Sequence, residues 1–215
     1  MDAPFGNHHA ASKTWGVQNN TPPDDFGMNQ SAFTDQSLSV EDYLRNEEVS
    51  EIRHEYLGGK IYPRDDASMR HCLITGSLIS ILLPASRIHA CRCFASAFKL
   101  KLDNFGETTF YYPDLMVVCK PKDRHPLYAT QPSLIIEVLS ETTERIVRRE
   151  KILAYQTLPS LQEYVFVAQD YPQIEIYRRR TVWLPEVHAE GAFTIECLDL
   201  TASVAEVYQD IGGFS

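Results

Sequence analysis

Two short runs, "LMVV" (115–118) and "LIIEVL" (134–139), constrain this 215-residue chain more than any other feature. Unbroken apolar segments of this length read as strands buried on both faces, which requires a sheet covered on each side. Each run is nevertheless marked by an acid. Asp114 follows Pro113 and opens the first; Glu137 interrupts the second. A carboxylate at the edge of a core costs several kcal/mol, of the order given for buried ions, unless a cation or hydrogen bonds hold it. The partners of these two acids are therefore the question that the sequence poses.

The segments around them supply the rest of a domain. Ser39 caps a short helix in "SVEDYLRNEE", with Asp42 placed three residues on to complete an approximate capping box. "HEYLGGKIYP" reads as a hairpin turning at Gly58-Gly59. "SMRHCLITGSLISILLPA" has apolar residues at 74, 78, 81 and 82, a helical spacing that predicts an end near Pro84. Strands follow in "HACRCFASAFKLKLD", where Phe98, Leu100 and Leu102 alternate, in "TTFYYPDLMVVC" and in "PSLIIEVLS". Thr142 or Thr143 caps a second long helix through "ERIVRREKILAYQTL" to Pro159. Four more strands ("EYVFVAQ", "QIEIYRR", "TVWLPEV", "AFTIECLDL") and a short helix over Val204 to Tyr208 close the pattern. This order predicts one α/β domain, residues 37–210, with a mixed central sheet of four or five strands. Residues 1–36, polar and without periodicity, are expected to form a disordered tail in which His8-His9 is a solvated pair.

Composition excludes several classes. No stretch approaches roughly 18 consecutive apolar residues and no basic region leads an apolar one at the N-terminus, so neither a membrane span nor a signal peptide is expected. Five cysteines, mostly within apolar segments, predict buried free thiols and a cytoplasmic protein. Cys91-Arg92-Cys93 lacks the spacing of a zinc knuckle and has no following partner pair, which argues against zinc. The net charge is −9; the first 36 residues carry four aspartates against one lysine, leaving −6 for the rest. Such a chain binds nucleic acid poorly through charge alone, so a phosphate partner needs a local basic patch or metal ions. Neither a P-loop nor a GxGxxG, GxSxG or HExxH signature occurs.

Adjacent strands that each carry one inward carboxylate put like charges close together, which raises one pKa or recruits a cation. Hard oxygen donors suit magnesium, manganese or calcium. The competing reading is structural: an arginine or backbone amides hold each carboxylate. Lys151 lies four residues from both Val147 and Tyr155, so the three share a helix face and the lysine points partly inward, unlike Arg148 and Arg149. Its own competing reading is a surface lysine that snorkels. Two carboxylates and a lysine at strand ends form a set suited to phosphoryl chemistry.

At these residues the chain resembles the PD-(D/E)XK nucleases, and more closely the Uma-two family of restriction-type endonucleases. "YYPDLMVV", "PSLIIEVLS", "EKILAY", "LQEYVFV", the "RHEYLGGKIY" hairpin and His71 carry the resemblance, which spans about residues 38 to 208. It implies a restriction-endonuclease-like mixed sheet flanked by helices and a metal-dependent endonuclease acting on DNA. Asp114, Glu137 and Glu55 become ligands of Mg2+, with Mn2+ able to substitute, and Lys151 the catalytic lysine. The superfamily's usual lysine position, two residues after the second acid, holds Leu139; the family places its lysine on the next helix. The family often has an aspartate where this chain has Val147, a departure that favours the alternative of a nuclease-fold binding protein without cleavage. His71, Arg148 and Arg149 are candidate substrate contacts, as are Arg145 and the "YRRR" tip (Tyr177 to Arg180), each set against the plainer reading of solvated or backbone-bonded side chains. A homo-oligomer, such as a dimer, would cover edge strands.

Overall fold

A computed structural model describes residues 37–64, 67–104, 106–119, 123–140 and 150–211, all within one compact unit, Gln36–Ser215. The expected tail and Arg145, Val147, Arg148 and Arg149 lie outside the described residues. The elements in chain order are α1 (Val40–Val49), β1 (His54–Leu57), β2 (Lys60–Pro63), α2 (Met69–Ile88), β3 (Arg92–Ala95), β4 (Lys99–Asn104), β5 (Glu107–Tyr111), β6 (Leu115–Val118), β7 (Tyr128–Ala129) and β8 (Leu134–Leu139). They continue with α3 (Ile152–Gln156), β9 (Glu163–Ala168), β10 (Ile174–Arg178), β11 (Pro185–His188), β12 (Ala192–Ile195), β13 (Leu200–Ser203) and α4 (Val204–Tyr208).

The central sheet has six strands in the order β11-β10-β9-β8-β6-β3, parallel only between β8 and β9. Both runs that opened the sequence reading lie in its middle, and alternation assigns their two faces. Leu115, Val117, Leu134, Ile136 and Val138 join α2, α4 and the β12–β13 hairpin in one core. Met116, Val118, Ile135 and Leu139 join Leu100, Leu102, Tyr111 and Tyr155 in the other. The second core is closed by a five-stranded sheet, β2-β1-β5-β4-β7, whose far face packs Tyr56 and Phe110 against Tyr43 of α1. One central sheet of four or five strands is thus corrected to a six-stranded sheet with a second sheet stacked on it.

The cause is a break in "TTFYYPDLMVVC". It is two strands, β5 and β6, in different sheets. Pro113 has no N–H to donate to a ladder, and the chain crosses between sheets over Tyr112–Asp114. The hairpin is as expected: Gly58 and Gly59 both take positive φ (53° and 97°), which glycine adopts without strain. Ser39 caps α1, accepting from the Asp42 amide at 3.1 Å.

Helix α2 runs on through Pro84 to Ile88 rather than stopping at the proline. Pro84 is solvent-facing, where water can serve the Ser80 carbonyl that the ring cannot bond, and Leu82 and Ala85 hold the last turn on the sheet. By length and apolarity α2 would pass for a membrane span. Here it buries Ile74, Leu78 and Leu82 against the central sheet, as a core helix does. Not all cysteines are free: Cys91 and Cys119 form a disulfide, leaving Cys72, Cys93 and Cys197 as thiols. The antiparallel register of β3 on β6 pairs Arg92 with Val118 and so sets Cys91 opposite Cys119. That pairing follows from register, which spacing in the sequence does not reveal, and the argument from free thiols to a reducing compartment loses its support.

Candidate active site

Continued by one residue, the β6–β8 register sets Asp114 directly opposite Glu137. Both side chains then point to the face of the central sheet that meets the second sheet. Glu55 approaches from that second sheet: its neighbour Tyr56 faces α1, so Glu55 and Leu57 face inward. Lys151, at the start of α3, completes the set.

The four groups form two charge-paired halves. Asp114 is buried; its Oδ1 accepts from Arg64 at 3.0 Å, and its Oδ2 accepts from the Val138 amide at 2.9 Å and lies 3.1 Å from His71 Nε2. Burial works against ionisation of Asp114, but the His71 contact, the Val138 amide and the Arg64 charge together hold its pKa below the ordinary carboxylate value. Lys151 Nζ lies 2.6 Å from Glu55 Oε1 and 3.6 Å from Glu137 Oε1, and stands over the Tyr111 ring at 5.3 Å. Tyr155 donates to Glu137 Oε1 at 3.0 Å. Burial pushes the Glu137 carboxyl up to about 7; Lys151 pulls the other way, while Asp114 and Glu55 add to the rise. Burial would also lower the Lys151 pKa, but Glu137 and Glu55 outweigh it and raise it. Tyr155 is held well above its ordinary value by burial and by Glu137, so it remains a hydrogen-bond donor.

Neighbouring contacts fix this geometry. Glu47 of α1 is buried and accepts from the His54 amide and from Tyr112, each at 2.8 Å. One helix residue thereby ties the start of β1, which carries Glu55, to the crossover that carries Asp114. Ser68 caps α2 by accepting from the His71 amide at 3.1 Å, which sets the histidine in the first turn facing Asp114.

Glu55, Asp114, Glu137, Lys151 and His71 are thus brought together as the sequence suggested. Asp114 is held by Arg64 and His71, and the lysine serves Glu55 and Glu137. Arg64 was missed, although the hairpin carries the signal: pairing Glu55 with Tyr62 puts Arg64 two residues further along the same face. The "YRRR" tip is corrected. Arg178 is buried and donates to Glu163 at 3.0 Å, Arg179 bonds the Leu161 carbonyl at 2.8 Å, and Arg180 pairs with Glu196. These arginines fasten β9, β10 and the Glu196–Leu198 turn together.

Asp114, Glu137 and Glu55 supply oxygen donors of the kind that hard divalent cations take. Burial raises the Glu137 pKa, and Asp114 and Glu55 add to the rise, so added positive charge would favour its ionised form. Among the described residues no three acidic, histidine or cysteine side chains converge on one point as they stand. Arg64 and Lys151 already act as counter-cations between them, so an ion would enter by displacing one of these.

Residues 40–205 match the model of the Uma2 family, described as "Putative restriction endonuclease". Two uncharacterized proteins of Synechocystis sp. are similar. One, slr1290, is 29% identical over 178 residues, covering 81% of this chain and 93% of the relative. The other, sll1609, is 32% identical over 165 residues, covering 74% and 92%. Among solved structures, a putative nuclease belonging to DUF820 from Anabaena variabilis superposes with a TM-score of 0.62 at 19% identity, over 74% of this chain and 92% of that one. At that identity the likeness establishes the fold.

Proposed function

We propose, from the chain's membership of the Uma2 family and from the site geometry, that it is a metal-dependent endonuclease hydrolysing DNA phosphodiester bonds. The observation that carries this reading is the convergence, between two sheets, of Glu55, Asp114, Glu137 and Lys151 from four separate segments. Buried ionisable groups with shifted pKa values, gathered from separate segments into one place, are a mark of functional sites.

In this reading Asp114, Glu137 and Glu55 would hold Mg2+ or Mn2+. The bound ion supplies Lewis acidity towards a phosphate and neutralises its charge. Lys151, anchored by Glu55, presents an ammonium to charge that develops on the phosphate oxygens. Tyr155 holds the Glu137 carboxylate in one orientation through its hydroxyl. Arg64 and His71 do the same for Asp114, and both are positioned to donate to a phosphate oxygen once Asp114 turns to an ion.

One observation favours a nuclease-fold binding protein without cleavage: each acid of the cluster already has a protein cation beside it. Calorimetric titration with Mg2+ and Mn2+, followed by a plasmid-nicking assay, separates the two. Metal binding with nicking that Asp114→Asn abolishes supports the endonuclease. Absence of nicking with either ion establishes the binding protein.

A further inference from the structure

Strand β2 is exposed along its whole length, unlike β7 at the opposite edge of the second sheet, whose Ala129 packs in a core. An edge strand ordinarily buries one face, so a strand with both faces in water extends beyond the core that supports it. Its register on β1 pairs Glu55 with Tyr62 and Leu57 with Lys60. Directly opposed residues of an antiparallel pair share a face, with Cβ atoms about 5 Å apart. Tyr62 therefore stands beside Glu55 on the inner face of the hairpin, and it is 49% exposed. Lys60 lies two residues outward on that face. Two residues inward is Arg64, whose amide continues the ladder by donating to the Arg53 carbonyl at 2.8 Å and whose guanidinium reaches Asp114. Read along the strand, this face presents a cation, an aromatic ring and a cation, ending at the carboxylate cluster.

We propose that the β1–β2 hairpin is a nucleotide-stacking platform: Tyr62 takes an unpaired base of a DNA strand, with Lys60 and Arg64 on the flanking phosphates, and delivers the adjoining phosphate to Glu55, Asp114 and Glu137. The charge of the molecule bears on the choice between strand types. At −9 the chain gains little from counterion release on a duplex, whose phosphates are dense and whose bases are stacked out of reach. Stacking on an aromatic ring adds affinity that does not depend on charge and accepts any base. An exposed tyrosine flanked by two cations suits a strand whose bases are free. The substrate class is then single-stranded DNA, or a duplex locally opened beside the cleaved bond.

The inference depends on the nuclease reading for its placement, but binding tests it without cleavage. Fluorescence anisotropy with a labelled 15-nucleotide oligothymidylate, and with a duplex of the same length, is measured on the full chain with calcium in place of magnesium. The parent is expected to prefer the single strand. Tyr62→Ala should weaken that binding roughly tenfold or more, the loss of one base–aromatic stack, while Tyr62→Phe retains it and duplex binding changes little. Circular dichroism checks that the variants fold, as substitution of an exposed side chain should allow. Unchanged binding by Tyr62→Ala, a preference for duplex, or no binding of either DNA by the parent overturns the platform. Plasmid nicking by Tyr62→Ala at the parent's rate overturns it too, but leaves the nuclease intact. Tyr62-dependent binding without nicking by any ion sustains the platform and removes the nuclease.

Discussion

Substituting the two opposed acids one at a time should move stability in opposite directions. In Asp114→Asn the amide would keep the shape of the side chain but lose the charge that Arg64, His71 and the Val138 amide all hold. Breaking one partner out of a buried ion pair costs about 3–5 kcal/mol, so this variant should be destabilised by that amount at pH 7. Simple relief of repulsion, which the sequence alone suggests, would give the opposite sign. Glu137 is the acid under strain. A carboxyl held at about 7 rather than near its ordinary value of ~4.3 penalises the ionised form by at most about 4 kcal/mol. Glu137→Gln keeps an oxygen for the Tyr155 hydroxyl, and Lys151 keeps Glu55, so the variant should gain roughly 1–3 kcal/mol at pH 8.

The sign with pH follows from the direction of each shift. For Glu137 the folded pKa lies above the unfolded one, so its contribution is fully present below pH ~4.3 and is lost as pH rises through about 7. The gain of the glutamine variant should therefore vanish near pH 5. For Asp114 the folded pKa is depressed, so its stabilisation is present above ~3.9 and is lost as pH falls through the folded value. Urea unfolding followed by circular dichroism, in EDTA at pH 5, 6.5 and 8, measures both. Destabilisation by Glu137→Gln at pH 8, or a gain from Asp114→Asn at pH 7, would refute this account of the pairing.

Lys151→Met should lower nicking about a hundredfold or more, comparable with losing one electrostatic stabiliser, in a plasmid assay with Mn2+. It should also destabilise the fold more at pH 8 than at pH 5, because Glu137 and Glu55 lose their shared cation; equal nicking by parent and variant would remove Lys151 from the chemistry. The Cys91–Cys119 bridge closes a separation of 28 residues, for which chain entropy gives about 3–4 kcal/mol. Dithiothreitol should lower the melting temperature of the parent and leave that of Cys91→Ser unmoved, whereas an unaffected parent would mean no bridge in solution. Arg178→Met should cost about 3–5 kcal/mol by stranding the buried Glu163, measured by thermal unfolding at pH 7; a loss below about 1 kcal/mol would show that the Glu196 and Cys197 amides, which donate to Glu163 at 3.1 and 2.8 Å, suffice.

Much of the fold was legible because its signals are local. Apolar runs without polar alternation mark β6 and β8, paired glycines mark the β1–β2 turn, and Ser39 marks a helix start. What the sequence hid depends on events distant along the chain. The second sheet arises because the chain changes sheets at Tyr112–Asp114, and nothing in an apolar run says which strands it will join. Pro84 is a stop signal in isolation and is overridden by packing of Leu82 and Ala85 on the sheet. The disulfide follows from the β3–β6 register, which forms only when the sheet does.

The site divides along the same line. Residue types named Asp114, Glu137 and Lys151, because a carboxylate in an apolar strand and a lysine on an apolar helix face each violate a local rule. Their pairing followed no such rule. Arg64 looked like an ordinary residue at the end of a hairpin, yet it reaches the carboxylate that opens β6, fifty positions on. Its place follows from strand geometry: once Gly58-Gly59 set the turn, every second residue of β2 faces the same way as Glu55. The same alternation that puts Arg64 on Asp114 puts Tyr62 beside Glu55. A hairpin that neutralises the acids and also projects an aromatic ring beside them links two states of the site. With Arg64 on Asp114 and Lys151 between Glu55 and Glu137, each acid of the cluster has a protein cation beside it. A phosphate that draws Arg64 outward would leave Asp114 uncompensated and raise its demand for a divalent cation, so strand binding and metal binding should each strengthen the other, as linkage requires.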